Sequence, residues 1–256
     1  MARGEASGQG RARLADSRAV SLDDPALVRA EYASEAGLVA RASVYQGVAG
    51  PDAREAAFRA VAEVRPARVL EVGCGWGEFT ARIRDELTRD VRAIDISPRM
   101  VELARERGVE AEEGDVCAIA FPARAFDCVV ANWMLYHAPD IDLALSELAR
   151  VLRPGGRLVA ATNSDRHLEE LWALVGRDRS TERRHFFSED GEILLRRHFE
   201  HVERREVVST IEFDEAAVRG YIASSVAHKH LVDRVPSLAE PLVATRRCSV
   251  FVAETA

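Results

Sequence analysis

The sequence feature that most constrains the fold is a glycine-rich stretch, VLEVGCGWGEF, at residues 69–79. Its first residues are apolar, as expected for a strand of a parallel sheet that is covered on both faces. Gly73, Gly75 and Gly77 allow unusual backbone angles and a close approach by a ligand. A helix that begins near Glu78 would point its N-terminal N–H groups back at this turn. The stretch therefore predicts a strand, a glycine turn and a helix, the nucleotide-binding unit of an open α/β sheet.

The glycines follow a G-x-G-x-G pattern, whereas dinucleotide-binding enzymes use G-x-G-x-x-G. With Glu71 two residues before the first glycine, the motif E-V-G-C-G-W-G resembles motif I of the class I S-adenosylmethionine (AdoMet) methyltransferases. The resemblance implies an α/β, Rossmann-like fold: a seven-stranded, mostly parallel sheet with helices on both faces and an antiparallel last strand. It implies AdoMet as the cofactor, bound by Glu71, Gly73, Cys74, Gly75 and Gly77. A glycine turn that serves only packing is the alternative.

Predicted strands alternate with predicted helices around this turn, which favours right-handed crossovers and a parallel sheet. We expect strands near residues 68–72, 91–96, 109–113, 126–132, 157–162, 202–208 and 248–254. We expect helices near residues 78–87, 98–107, 141–152, 168–175, 189–198 and 214–226. Residues 66–256 are thus interpreted as the methyltransferase domain, with an acceptor-site insertion at about residues 209–243.

The N-terminal part of the chain is interpreted as two segments. Residues 1–20 are rich in Gly, Ala, Ser and Arg and are predicted to form a poorly ordered tail. Residues 21–65 are predicted to form a helical lid. Asp24 can cap its first helix, which is expected to extend to about Val39, and Asp52 can cap its second.

The lid prediction includes two site residues. Arg41 is expected to pair with the methionine carboxylate of AdoMet, and Tyr45 is expected to border the acceptor pocket. Both lie before a break at about residues 47–51. Simple packing of this segment on the edge of the domain is the alternative interpretation.

Acidic residues follow the second and third predicted strands. Asp95 lies 22 residues after the first glycine of the turn, where a carboxylate can accept hydrogen bonds from both ribose hydroxyls of a nucleoside. That position suits NAD and AdoMet alike, and helix capping is the alternative. The resemblance implies that Asp115 accepts a hydrogen bond from the adenine amino group and that the Val116 N–H reaches a ring nitrogen, although Asp115 could also be a simple turn residue. It also assigns Ile96 and Met100 to the cofactor pocket.

The fourth predicted strand runs into N-W-M-L-Y-H at residues 132–137, at the edge where open α/β sheets bind ligands. In the resembled family this is the motif IV region. The resemblance implies that the Asn132 carbonyl binds the methionine ammonium and that Trp133 walls the methyl-transfer pocket. His137 is the candidate general base, because an ordinary histidine pKa of ~6.5 suits proton transfer near neutral pH. The alternative is that His137 only begins the next loop.

Four ordered matches over about residues 67–163, ending in a helix and the R-P-G-G turn at residues 153–156, carry the resemblance. The expected function is methyl transfer from AdoMet to an N or O atom of a small molecule, in natural-product biosynthesis. An amine acceptor needs no base, whereas a hydroxyl acceptor would use His137. The alternatives are an NAD-dependent oxidoreductase, a nucleic-acid methyltransferase and a non-catalytic AdoMet-binding protein.

Composition restricts the partners. The net charge of −7 does not favour a nucleic acid held on a basic surface. No apolar run approaches the ~18 residues of a membrane span, and no secretory signal is evident. The four cysteines form no C-x-x-C pair, which favours a reducing, cytoplasmic compartment. No metal site is expected, because the histidines of His228-Lys229-His230 do not share a helix face. The oligomeric state is not predicted.

Overall fold

The computed structural model describes residues 25–33, 37, 39–41, 45, 50–177 and 186–256. The tail predicted at residues 1–20 and the cap predicted at Asp24 lie outside these residues. Helix α1, Pro25–Glu31, ends well before the predicted limit at Val39. The chain turns at Tyr32, whose carbonyl accepts a hydrogen bond from the Ser97 hydroxyl at 2.8 Å. The end of this helix is therefore in contact with a residue that is distant in sequence.

Within the described residues, seven strands form one sheet. They are β1 Arg68–Val72, β2 Asp90–Asp95, β3 Glu110–Glu113, β4 Phe126–Val130, β5 Leu152–Asn163, β6 His201–Phe213 and β7 Leu242–Glu254. Their order is β3-β2-β1-β4-β5-β7-β6. Strands β1 to β5 pair in parallel, and β7 is antiparallel to both of its neighbours. The predicted fold class, a mostly parallel seven-stranded sheet with an antiparallel last strand, is confirmed.

Helices cover both faces of the sheet. After α1, the described helices are α2 Ala53–Ala62, α3 Glu78–Glu86, α4 Pro98–Glu106, α5 Ile141–Val151, α6 Glu169–Leu174, α7 Gly191–Leu195 and α8 Glu215–Ala223. In β1, Leu70 packs into the core on the α5 face, and Val69 packs into the core on the α2 and α3 face. The cap predicted for α2 is observed, since Asp52 accepts backbone N–H groups of its first turn, and Ser97 caps α4 by accepting the Met100 N–H. Such a cap contributes about 1 kcal/mol to helix stability.

The last two strands differ most from the prediction. Each has 13 residues, whereas the sequence predicted only residues 202–208 and 248–254. The ladder continues from Ser209, opposite Arg246, to Phe213, opposite Leu242. Consecutive arginines at positions 246 and 247 interrupt the apolar alternation. The strand predicted at residues 248–254 therefore began too late. The segment between the strands is residues 214–241 and contains α8 and a 3₁₀ helix, Lys229–Arg234.

The turn between α5 and β5 is a smaller difference. The sequence predicted that residues 153–156 separate the helix from a strand that begins at Arg157. In the structure β5 begins directly after α5, at Leu152, and its register against β4 shifts between Phe126 and Cys128. The extra residues of the R-P-G-G turn lie in this shift, where Gly155 has a φ of 67°. Regular pairing resumes at Arg157, where the strand was expected.

Candidate functional site

A cavity of about 320 Å³ is lined by residues that follow β1, β2, β3 and β4. Its volume lies in the range of small-molecule sites, roughly 300–1,000 Å³. One part, here called the nucleotide end, comprises Glu71, Gly73, Gly75, Asp95, Asp115 and Asn132. The other part, here called the distal end, comprises Tyr45, Asn163, His167, Tyr221, Arg246 and Cys248. The cavity therefore joins the glycine turn to residues from β5, β7 and α8.

The structure brings most of the residues predicted from sequence to this cavity. Those that line it are Arg41, Tyr45, Glu71, Gly73, Cys74, Gly75, Asp95, Ile96, Asp115, Val116, Asn132, Trp133 and His137. Gly77 and Met100 are not among the lining residues. A Cβ on Gly77 would lie 2.9 Å from the Ala104 Cα, and Met100 is fully buried in α4. These two residues allow α3 and α4 to pack behind the turn.

The glycine turn is tied to the end of β2. The N–H groups of Gly73 and Cys74 both donate to the Ile94 carbonyl, at 2.8 and 3.1 Å. Gly73 has a φ of 70°, and a Cβ there would lie 2.7 Å from the Met134 Cβ. Gly75 has a φ of 54° and donates its N–H to Asp95 Oδ2 at 2.8 Å. Glycine is required at Gly73 by both backbone conformation and space.

Asp95 lies at the tip of β2 and is only 8% exposed. Its carboxylate accepts the N–H groups of Gly75 at 2.8 Å and Ser97 at 2.9 Å. Burial raises the pKa of Asp95, and the backbone N–H groups of Ser97, Gly75 and Ile96 oppose that rise. A carboxylate has about four acceptor sites, so Asp95 keeps capacity for a ligand hydroxyl. The capping alternative does not apply to Asp95, because Ser97 is the residue that caps the helix after β2.

Glu71 lies at the end of β1 and is 3% exposed. Burial raises its pKa to about 8, while the Thr80 hydroxyl, which donates to Oε2, and the charge of Arg54 lower it. The nearby Asp95 raises it further. A cationic ligand group beside Glu71 would favour the ionised form, and the residue therefore suits a positively charged ligand.

Asn132 follows β4 and provides the clearest test of whether a polar ligand fits. Its Oδ1 and Nδ2 atoms are buried, and neither has a hydrogen-bond partner within the part of the chain that the structure describes. Leaving such atoms unsatisfied costs about 1–3 kcal/mol each. Because Asn132 lines the cavity, a ligand with a donor and an acceptor can offset this cost. The residues present therefore fit AdoMet, although the prediction concerned the Asn132 carbonyl and not its side chain.

Asp115 and Val116 lie in the turn after β3 and line the nucleotide end. Asp115 Oδ1 accepts the Cys117 N–H at 2.8 Å. The turn role considered from sequence is thus observed together with a position at the cavity. Val116 is 6% exposed and belongs to the core on the α5 face.

Trp133 and His137 also line the cavity. Trp133 has a φ of 52°, and its N–H and Nε1 donate to the Ala161 carbonyl at 2.7 Å and to Asn163 Oδ1 at 3.0 Å. A non-glycine residue in this conformation is strained, and such strain clusters at functional sites. His137 Nε2 lies 3.1 Å from the Tyr32 hydroxyl. Burial raises the pKa of Tyr32 to about 12, which keeps this hydroxyl neutral beside the imidazole.

The two predicted lid residues line the cavity in different ways. Arg41 already has protein partners, because Nη1 lies 2.7 Å from Glu31 Oε1 and donates to the Ser224 carbonyl at 3.0 Å. It therefore connects α1 to the end of α8. The hydroxyl of Tyr45, which was expected to border the acceptor pocket, lies 3.3 Å from that of Tyr221 at the distal end.

Sequence reasoning missed the rest of the distal end. Asn163, His167, Tyr221, Arg246 and Cys248 belong to no motif and come from four separate segments of the chain. Only the folded sheet, in which Asn163 pairs with Cys248, brings them together. A usable signal was the charge of Arg246 at an inward-facing position of a strand.

Two expected absences concern the described residues. Within these ranges no cluster of three or more His, Cys, Asp or Glu side chains could hold a metal ion. No helix in the same ranges combines the length and apolar character needed to cross a bilayer.

Comparisons with known proteins agree with this geometry. A family described as a methyltransferase domain matches residues 70–160. The demethylmenaquinone methyltransferase of Deinococcus radiodurans is 34% identical over 113 residues, 41% of this chain and 46% of that protein. The 27-O-demethylrifamycin SV methyltransferase of Amycolatopsis mediterranei is 38% identical over 99 residues, 36% of each chain. The chain thus spans half or less of the length of these curated relatives.

A solved structure extends the likeness beyond the matched segment. The YcgJ protein of Bacillus subtilis has a TM-score of 0.60 and 16% identity, and the match covers 78% of this chain and 98% of that one. At this identity the likeness shows the fold alone. The family match covers the glycine turn, Asp95 and the strands that hold them, and the fold match adds the sheet around it. Residues 70–160 therefore match a methyltransferase domain, and this match supports the resemblance to the class I S-adenosylmethionine-dependent methyltransferases.

Proposed function

We propose that this chain transfers a methyl group from AdoMet to an N or O atom of a small molecule in natural-product biosynthesis. The observation that carries this proposal is a single cavity that joins the nucleotide end to an aromatic and polar distal end. Its relatives include enzymes named for demethylmenaquinone and 27-O-demethylrifamycin SV, which supports a small acceptor. Four free cysteines support a reducing, cytoplasmic compartment.

AdoMet supplies a methyl group that its sulfonium sulfur already activates. The protein's task is then to align the reactants and exclude water, and alignment alone can supply roughly 7–11 kcal/mol. At the nucleotide end, Asp95 accepts the ribose hydroxyls and Asp115 accepts the adenine amino group. Glu71 and Asn132 face the methionine part. Burial raises the pKa of Glu71, and the buried side-chain atoms of Asn132 have no hydrogen-bond partner among the described residues.

His137 acts as the general base when the acceptor is a hydroxyl. It lines the cavity, and the Tyr32 hydroxyl at 3.1 Å from Nε2 helps to orient its ring. An amine acceptor that arrives neutral needs no such base. In this proposal the predicted lid is limited to the residues before α2, because α2 packs in the core of the sheet domain, and Tyr32, Arg41 and Tyr45 close one side of the cavity.

Calorimetry with AdoMet, S-adenosylhomocysteine and NADH tests the proposal. We expect AdoMet and S-adenosylhomocysteine to bind more tightly than NADH. Asp95→Ala should reduce AdoMet affinity by about 10- to 100-fold, because it removes charged hydrogen bonds worth about 1.5–3 kcal/mol. Asp90→Ala, at the exposed start of the same strand, is the matched control and should leave affinity unchanged. Unchanged affinity in Asp95→Ala, or tighter binding of NADH, refutes the assignment.

Turnover is tested by radiolabelled methyl transfer from AdoMet to a panel of small amines, phenols and hydroxyl-bearing natural products. Product formation by the wild-type protein with at least one acceptor is the expected result. Tight AdoMet binding without transfer to any acceptor class would favour a non-catalytic AdoMet-binding protein.

A further inference from the structure

We propose that the distal end of the cavity binds an anionic group of the acceptor, a carboxylate or a phosphate, through the guanidinium of Arg246. The inference rests on the proposed function, because it treats the distal end as the acceptor's part of the cavity. It adds a substrate class, namely acceptors that carry a negative charge. It is carried by the burial of Arg246, by the small number of its partners and by its place in the sheet.

Arg246 lies on the inward face of β7 and is 8% exposed. Its Nη2 lies 3.4 Å from Asp52 Oδ2, at the long end of hydrogen-bond distances. Its Nε is buried and has no hydrogen-bond partner among the residues that the structure describes. A buried guanidinium with one long contact is costly, because its lost hydration is not replaced.

Arg157 shows what a fully compensated arginine looks like in the same sheet. Its side chain is 14% exposed, compared with 10% for Arg246. Arg157 donates to Glu254 Oε1 from Nε and Nη2, and Nη1 donates to Glu63 Oε2 and to the Ala60 carbonyl. Arg246 is as buried as this structural arginine but lacks its partners. The difference points to a partner that the described part of the polypeptide does not supply.

Among the described residues, the groups around Arg246 hold it and leave most of its N–H donors unused. Its Cζ atom lies 4.7 Å from the centroid of the Tyr45 ring, a stacking contact that orients the guanidinium. Asp52 offers Arg246 only its Oδ2 atom, since its Oδ1 accepts the N–H groups of Arg54 at 2.7 Å and Glu55 at 3.1 Å. Arg246 therefore keeps N–H donors in the planar geometry that matches a carboxylate or a phosphate.

The position of β7 separates this arginine from the nucleotide end. The glycine turn follows β1, and β4 and β5 lie between β1 and β7. Three strand spacings of roughly 4.8 Å amount to about 14 Å across the sheet. Arg54, whose charge acts on Glu71, is nearer to the methionine part of the proposed AdoMet site. Arg246 is thus placed to recognise the acceptor.

Binding of small probes to the full-length protein tests the inference without knowledge of the natural acceptor. Benzoate and phenyl phosphate are the anionic probes, and benzamide is a neutral analogue of the same size. Each is titrated by calorimetry with and without saturating S-adenosylhomocysteine. We expect at least one anionic probe to bind about 10- to 100-fold more tightly than benzamide, as for a charge-assisted hydrogen-bonded pair. The preferred probe shows whether the group is a carboxylate or a phosphate.

Substitutions test whether Arg246 is responsible for the preference for anionic probes. Arg246→Gln should remove the preference for the anionic probe while the affinity for S-adenosylhomocysteine stays within twofold. Arg246→Lys, which keeps the charge but loses the planar fork, should retain part of the preference. Arg89→Gln has the same change in net charge at a side chain that is 82% exposed, and it should behave like the wild-type protein.

Three outcomes would overturn the inference. They are equal binding of the anionic and neutral probes by the wild-type protein, an unchanged preference in Arg246→Gln, and an equal loss of S-adenosylhomocysteine affinity in that variant. The comparison of probes on the wild-type protein needs no substitution and stands if a variant misfolds. Failure of S-adenosylhomocysteine to bind at all would refute the proposed function, whereas the probe titrations in its absence still decide the role of Arg246.

Discussion

Replacement of Glu71 by glutamine should stabilise the ligand-free protein while it weakens AdoMet binding. Glu71 is 3% exposed, and burial raises its pKa from 4.5 to about 8. In the folded protein the carboxyl group is therefore largely protonated at neutral pH, whereas it is ionised in the unfolded chain. Glutamine has no charge to desolvate, and its side-chain oxygen can still accept the hydrogen bond from the Thr80 hydroxyl.

The sign and size of the effect follow from this difference in pKa. Because the folded protein holds the proton more tightly, the contribution of Glu71 to stability is fully present below pH 4.5. It is lost as the pH rises through the folded-state value of about 8. Each pKa unit corresponds to about 1.36 kcal/mol, so the loss between pH 5 and pH 8 is about 3 kcal/mol. At pH 8 we therefore expect Glu71→Gln to be more stable than wild type by about that amount.

Urea unfolding followed by circular dichroism at several values between about pH 5 and pH 9 measures this difference. The control is Glu106→Gln, which removes the same charge from an exposed position on α4 and should give a curve parallel to that of wild type. If Glu71→Gln also runs parallel to wild type across this range, the burial argument for Glu71 is wrong. Calorimetry should show weaker AdoMet binding by Glu71→Gln at pH 8, since the ionised carboxylate no longer faces the cationic ligand.

Two further predictions concern the acceptor side of the site. His137→Ala should lower kcat for a hydroxyl acceptor by about 10²- to 10⁴-fold with little change in AdoMet affinity, and a wild-type kcat would remove His137 from the mechanism. Deletion of residues 1–50 removes Tyr32, Arg41 and Tyr45 from the cavity lining. It should weaken AdoMet binding and abolish methyl transfer while circular dichroism still shows a folded sheet domain, and full activity of the truncated protein would contradict the lid.

The nucleotide end was predictable because its signals are local in sequence. Gly73 and Gly75 adopt positive φ values, and Ser97 caps α4 with Pro98 at its first position. Each of these features depends on only a few neighbouring residues. The N–H groups of Gly75 and Ser97 then hold the Asp95 carboxylate beside the turn. Gly77 and Met100 were predicted from the same local signals, but Gly77 packs against α4 and Met100 lies in the core. Sequence spacing does not specify which side of a turn lines the cavity.

The distal end was not predictable because its position depends on tertiary structure. Arg246 occupies an inward position of β7, and a charged residue there broke the alternation used to delimit the strand. Arg41 was expected to face a cofactor carboxylate, yet its guanidinium pairs with Glu31, which lies 10 residues earlier. The segment with α8, which carries Tyr221, has no motif, and only the completed ladder between β6 and β7 fixes where it lies.

Charged residues at the two ends of the cavity affect the orientation in which the acceptor binds. The nucleotide end carries Glu71 and Asp95, whereas the distal end carries Arg246 with one long contact to Asp52. In the proposed complex the sulfonium of AdoMet is attracted to the acidic end, and an anionic acceptor is attracted to the guanidinium of Arg246. An acceptor bound by Arg246 must therefore direct its other end, which carries the nucleophile, back toward Trp133 and the methyl group. The reversed orientation would bring its anion beside two carboxylates, and this repulsion favours a single productive orientation.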